Sequence, residues 1–152
     1  MNCSLAQTLN IIGERWTLLI LREAFFGVKK FSRFHENLDI ARNVLTHRLS
    51  SLVQHGILDR VQSTPNGHAE YQLTQKGLDL QPILIAMNHW GDKYVPHPRG
   101  KRLEFVERET GKPIRRTAIW SQDGNALNAK DITAVPGPGL GSEQHVASRK
   151  EH

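Results

Sequence analysis

The stretch 41–55 constrains this chain most. Ala41, Leu45, Leu49, Leu52 and Val53 line one side of a helical wheel, and Gly56 closes its C-terminal end. Its flanks narrow the choice further. Upstream, 31–38 predicts a short helix with Ser32 as its cap and Phe34 and Leu38 on one face, followed by a turn through Asp39. Downstream, 57–62 and 70–73 are strand-like runs separated by Ser63-Thr64-Pro65-Asn66-Gly67-His68. Asn-Gly between such runs signals a hairpin.

The remaining helices frame this unit. Leu5, Leu9, Ile12 and Trp16 recur at helical spacing, and Gly13 separates a short first helix from a second over 14–25 that is apolar on most of its circumference. Such a helix is expected to be buried all round, and Gly27 stops it. After the hairpin, Thr74 can cap a last helix in which Leu80, Ile83, Leu84, Met87, Trp90, Gly91 and Tyr94 repeat at three and four. Pro82 either kinks that helix or marks where its regular part begins. The fold class is therefore mainly α with a small β-wing: a winged helix-turn-helix, whose second helix of the motif enters the major groove of DNA.

Charge and length agree with that class without deciding it. The 152 residues carry a net charge of +5, which suits a polyanionic partner. Cys3 is the single cysteine, so no intrachain disulfide can form and a reducing compartment, the cytoplasm, is expected. Charged residues interrupt the apolar runs well short of the roughly twenty needed to span a bilayer, so no membrane partner is expected. The start of the chain lacks the basic region, apolar stretch and cleavage site of a signal peptide. Paired-histidine zinc motifs, phosphate loops and serine elbows are absent from the sequence, so no enzyme activity, cofactor or metal is expected.

On the wheel centred at Leu45, Asn43, His47, Ser50 and Gln54 point away from the apolar stripe. Asparagine can pair bidentately with adenine, and serine or threonine serves either base pair. Residues near the helix N-terminus enter deepest, which puts Asn43, Thr46 and His47 first, with Ser50 behind. Arg42 and Arg48 on the flanks suit phosphates, and Arg48 could instead read guanine. Lys29, Lys30, Ser32 and Arg33 open the preceding helix, where cations and amides can hold a phosphate. Asn66 and His68 of the wing could follow the backbone or minor groove. The same polar residues would also make an ordinary solvated face.

These residues resemble a known family. The run Ile12-Gly13-Glu14-Arg15-Trp16-Thr17-Leu18-Leu19-Ile20-Leu21-Arg22-Glu23, preceded by residues 3–9, is similar to the opening of the HxlR-type bacterial transcription regulators. Phe31-Ser32-Arg33-Phe34, Val44-Leu45-Thr46-His47-Arg48-Leu49, His55-Gly56-Ile57-Leu58, Tyr71-Gln72-Leu73-Thr74-Gln75-Lys76-Gly77 and Trp90-Gly91-Asp92 continue it in register over about residues 3–95. The resemblance implies a winged helix, homodimerisation through the first and last helices, and binding of double-stranded DNA at two half-sites. It also implies that Thr46 and Arg48 match positions of the recognition-helix motif. Cys3 falls where many members carry an N-terminal cysteine, which in some senses oxidants or electrophiles; a free cysteine is also commonly a small buried hydrophobe.

A dimer is expected on physical grounds too, since Leu5, Leu9 and the broad apolar face of the last helix need more partners than one small core offers. The organisation expected is 1–95 as DNA-binding and dimerisation domain, 96–135 as a small C-terminal β appendage, and 136–152 as a flexible tail containing the Gly-Pro-Gly-Leu-Gly run. Within the appendage, 103–109 and 113–120 flank Thr110-Gly111-Lys112, with 131–135 as a third strand. Some family members carry cysteine pairs in such an extension, suggesting a zinc ribbon; this chain has none there, so its appendage must pack by other means, the partner subunit being one place. Arg115-Arg116 would be a solvated strand end or a further DNA contact. The alternative function is a ligand-binding or protein-interaction module, with a small hydrophobic effector in a cleft beside Trp16, Phe25, Trp90 and Tyr94.

Overall fold

The computed structural model describes residues 3–140. Helices α1 (Ser4–Ile12), α2 (Arg15–Phe25), α3 (Phe31–Leu38) and α4 (Arg42–Gln54) lead into a hairpin of β1 (Leu58–Val61) and β2 (Glu70–Leu73). Helices α5 (Gln75–Leu78) and α6 (Gln81–Tyr94) follow, then a second hairpin, β3 (Ile119–Trp120) and β4 (Ala126–Leu127). This is the winged helix-turn-helix that the sequence predicts, with a β appendage.

The core lies between α2, α3, α4 and the base of the wing. Ile20, Leu21, Phe34, Leu45, Leu49 and Leu58 are fully buried there, and Ile12 and Leu84 extend the cluster to α1 and α6. At the α1–α2 corner a Cβ on Gly13 would sit 2.3 Å from the Leu9 carbonyl oxygen, so the chain can turn this tightly only with glycine. The α3–α4 turn depends on Asp39 at φ 49°, a left-handed conformation that aspartate tolerates better than most residues. In the wing, Leu58 pairs with Leu73, Asp59 with Gln72, Arg60 with Tyr71 and Val61 with Glu70.

Several local expectations are corrected. Helix α2 is not buried all round: Thr17, Ile20, Leu21 and Glu23 are buried, while Arg15 is exposed and Trp16, Leu18 and Leu19 are half-buried, because neighbouring helices cover one side only. Ser32 does not cap α3; the helix starts after Lys30 with no side-chain cap, and Ser32 lies inside its first turn. Thr74 caps α5 rather than the long helix, its Oγ1 accepting from the Gly77 amide at 3.1 Å and donating to the Gly56 carbonyl at 2.6 Å. Pro82 then stands in the first turn of α6, where its missing N–H costs nothing.

The appendage also differs in detail. Around Thr110-Gly111-Lys112 the chain does turn back, with Val106 bridged to Pro113 and the Ile114 amide bonded to the Phe105 carbonyl at 3.0 Å. The regular strand there is confined to β3, however, and its partner is β4 rather than 131–135. The Asp123-Gly124 turn between them, with Gly124 at φ 83°, closes the hairpin locally, and a 3₁₀ turn over Ala129–Asp131 leads the chain away. The appendage packs on α6 of its own chain. Phe105 meets the His89 ring edge-to-face, His89 Nδ1 accepts from the Thr117 amide at 3.2 Å, and Arg102 donates to the Val95 carbonyl at 2.9 Å. Most of the tail expected over 136–152 lies outside the described residues.

Candidate nucleic-acid interface

Helix α4 buries Leu45, Leu49 and Leu52 and leaves Asn43, Thr46, His47, Ser50 and Gln54 exposed. The apolar stripe therefore fixes which side chains face outward. The Thr46 hydroxyl bonds back to the Arg42 carbonyl at 2.8 Å, which turns its Oγ1 toward its own helix. Arg48 stands apart from the outward group: its Nη2 lies 3.5 Å from Glu14 Oε1 and only 25% of its side chain is exposed.

The elements before and after α4 bring cations to the same side. The Tyr71 amide donates to the Lys29 carbonyl at 2.8 Å, and Lys30 is bridged to Glu70, so the segment before α3 lies along β2 as a third rung of the wing. Phe34 packs edge-to-face on Tyr71 with centroids 6.5 Å apart, fixing α3 against the same strand. The Arg42 guanidinium sits over the Phe31 ring at 5.7 Å. Between wing, α3 and α4 opens a cavity of about 710 Å³, lined by Lys30, Ser32, Arg42, Arg60 and His68 among others. Lys29 and Arg33 are exposed beside it, Arg33 paired with Glu36 at 3.1 Å. Asn66 is exposed near the wing tip, where the Gly67 amide closes a turn on the Thr64 carbonyl at 3.2 Å.

Arg60 is a cation of this cavity that was not among the residues expected from the sequence. It could have been found from alternation: β1 starts with buried Leu58, and a period of two places Arg60 on the same face, opposite Tyr71. Arg115 and Arg116 are exposed in the appendage, near α6 and away from this cavity. Cys3 is exposed at the N-cap of α1. The cleft expected beside Trp16, Phe25, Trp90 and Tyr94 does not form. Trp90 and Tyr94 line a groove between α6 and the appendage, Phe25 lines a separate pocket of about 30 Å³, and Trp16 packs on the core beneath the Arg15 guanidinium. Among the described residues no helix is long and apolar enough to cross a membrane.

A recognition helix held on a trihelical core, a wing, and cations converging beside both define a winged helix-turn-helix DNA-binding protein. Comparison with known proteins places it more narrowly. The chain belongs to the HxlR-like helix-turn-helix family, whose model matches residues 11–99. It is 42% identical over 139 residues to an uncharacterized HTH-type transcriptional regulator of Mycobacterium tuberculosis, Rv3095, covering 90% of this chain and 87% of that one. It is 34% identical over 112 residues to the uncharacterized HTH-type regulator YdeP of Bacillus subtilis, covering 72% of this chain and 86% of the relative. Among solved structures it is similar to PA1607, described as a candidate transcription factor, with a TM-score of 0.82 and 38% identity over 89% of this chain and 95% of that one. The reduced form of the regulator YodB from B. subtilis is similar at a TM-score of 0.54 and 31% identity, covering 62% of this chain and 95% of its own; YodB is also known bound to quinone. The likeness to PA1607 thus takes in most of the chain, whereas that to YodB leaves over a third of it unmatched. The chain is a transcription regulator that binds DNA and is not an enzyme.

Proposed function

We propose that the chain acts in the cytoplasm as a homodimer that reads a roughly palindromic operator, one half-site per α4. The observation that carries this reading is the exposed face of Asn43, His47 and Ser50 opposite the buried Leu45, Leu49 and Leu52. Asn43 and His47 read base edges, Ser50 and Thr46 assist, and Arg42, Lys29, Lys30, Ser32, Arg33 and Arg60 hold phosphates on either side. Asn66 and His68 of the wing lie along the backbone. Residues 1–95 form the DNA-binding and dimerisation unit, and 96–135 the appendage. A small effector or oxidant acting near α1, where Cys3 is exposed, is the regulatory input this reading favours, supported by the quinone-bound relative.

The test is selection of bound fragments from a random DNA pool by the purified full chain at about 150 mM salt, where sequence-blind phosphate binding is weak. The expected result is an enriched palindrome, with Asn43→Ala flattening the preference at one position of each half-site and lowering affinity about tenfold or more. Binding that stays weak, salt-sensitive and indifferent to sequence would instead favour the interaction-module alternative. Repeating the selected binding with diamide or a quinone, against Cys3→Ser, then tests the regulatory input.

A further inference from the structure

Arg48 occupies the recognition helix but not its outward face. On a wheel of about 100° per residue it lies about 60° from Leu45, on the side that packs toward α2, whereas Asn43, His47 and Ser50 lie about 140–160° away. Its guanidinium meets Glu14, the N-cap of α2, at 3.5 Å. Its Nε is buried, without a hydrogen-bond partner among the described residues. Reading guanine takes two guanidinium N–H groups aimed together at O6 and N7. Here the Nε–Nη2 edge is occupied by the protein: Nε is covered and Nη2 faces a carboxylate.

We propose that Arg48 is a positioning residue of the DNA interface rather than a base reader. Resting on the operator-binding reading above, its bridge to Glu14 fixes the rotation of α4 against the α1–α2 corner, and so the direction in which Asn43, His47 and Ser50 point. Glu14 directly follows Gly13, whose amide donates to the Leu9 carbonyl at 2.8 Å, so the corner that carries the bridge is tied to the end of α1. Glu14 itself is more than half exposed, which makes the bridge a modest contributor that sets orientation without holding the fold together.

The decisive experiment compares Glu14→Gln, Arg48→Gln, the double variant and Arg48→Lys for binding to the operator that the wild type selects, with the base preference at each position measured for all. The expected result is that the three Gln variants lose the same roughly two- to fivefold in affinity with unchanged base preferences, while Lys, which can keep the bridge as a point charge but lacks the planar guanidinium, stays near wild type. Loss of preference at one base position in Arg48→Gln and Arg48→Lys, with Glu14→Gln silent, would overturn the proposal and make Arg48 a reader. Failure of the wild type to select any operator would overturn the operator-binding reading itself and the positioning role with it. The bridge is checked separately without DNA by the Arg48 Nε–H signal in nitrogen-15 spectra. It is expected to exchange slowly with water and to shift in Glu14→Gln; exchange as fast as in free arginine would overturn the clamp.

Discussion

Glu23 is a carboxylate whose hydrogen bonds join two helices. It is buried, with its Oε1 accepting from Arg22 Nη2 at 2.8 Å and Nε at 3.2 Å, and its Oε2 accepting from Asn37 Nδ2 of α3 at 2.8 Å. A buried carboxylate is tolerable only because each oxygen is bonded, and Asn37 also ties α3 to α2. Glu23→Ala is expected to destabilise the fold by about 1–3 kcal/mol, discounted from the value for a deeply buried pair because Arg22 is partly exposed, while Glu23→Gln should lose less since its amide oxygen can still accept. Chemical denaturation of both variants checks this; equal stability of Glu23→Ala and wild type would mean the network contributes nothing net. The sequence could not reveal the network. It shows a carboxylate amid apolar residues, and its key partner stands fourteen positions away in another helix. Asn43, His47 and Ser50, by contrast, were legible, because a single helix wheel decides their direction. Arg48 was legible as a flank residue but not as a partner of Glu14, which stands at the N-cap of another helix, far away in the sequence.

At the scale of elements, what was legible is what depends on local periodicity or a local turn. Helices α3 and α4 and both wing strands follow from their apolar spacing, Gly56 and the Asn-Gly tip. The third appendage strand did not follow, because the nearby Asp123-Gly124 turn closes on β3 before 131–135 can reach it. The separate helix α5 was also missed, and its reason is packing. A Cβ on Gly77 would stand 2.3 Å from the Ile57 carbonyl oxygen and 2.9 Å from Leu73 Cδ2, so α5 lies flush on the base of the wing. Gly77→Ala therefore sets two effects against each other. Alanine gains about 1 kcal/mol in helix propensity, but the contact is with backbone that cannot swing aside, and overpacking of this kind costs about 1–3 kcal/mol. The clash should win, lowering the denaturation midpoint and loosening the wing, which amide exchange of Leu58 and Leu73 would report. A stabilised Gly77→Ala would show that α5 does not rest on the base of the wing.

The whole molecule leaves an apolar surface that one copy does not cover. Leu5 and Leu9 on α1 are 65% and 54% exposed, and Trp90 and Tyr94 on α6 are 62% and 58% exposed. Helix α1 carries no charge in its sequence, so an apolar partner over Leu5 and Leu9 would desolvate no ion of this helix. The appendage does not relieve this exposure. It binds α6 through His89 and Asp92, on the side where Phe105 and Arg102 lie, and leaves Trp90 and Tyr94 at the mouth of an open groove. Large apolar side chains left exposed on two helices favour association, and two-fold association is the commonest outcome. It would also set two copies of α4 about 34–36 Å apart, one turn of DNA, which a monomer cannot do. Leu9→Glu and Trp90→Glu should each place a carboxylate in the proposed interface while leaving the monomer core intact, since both side chains are exposed in the single chain. Sedimentation is expected to show a shift from dimer to monomer, with operator affinity falling at least tenfold and the salt dependence of binding nearly halving as one set of phosphate contacts is lost. A Leu9→Glu protein that remains dimeric and binds the operator as wild type would exclude α1 from the interface, and the same result for Trp90→Glu would exclude α6.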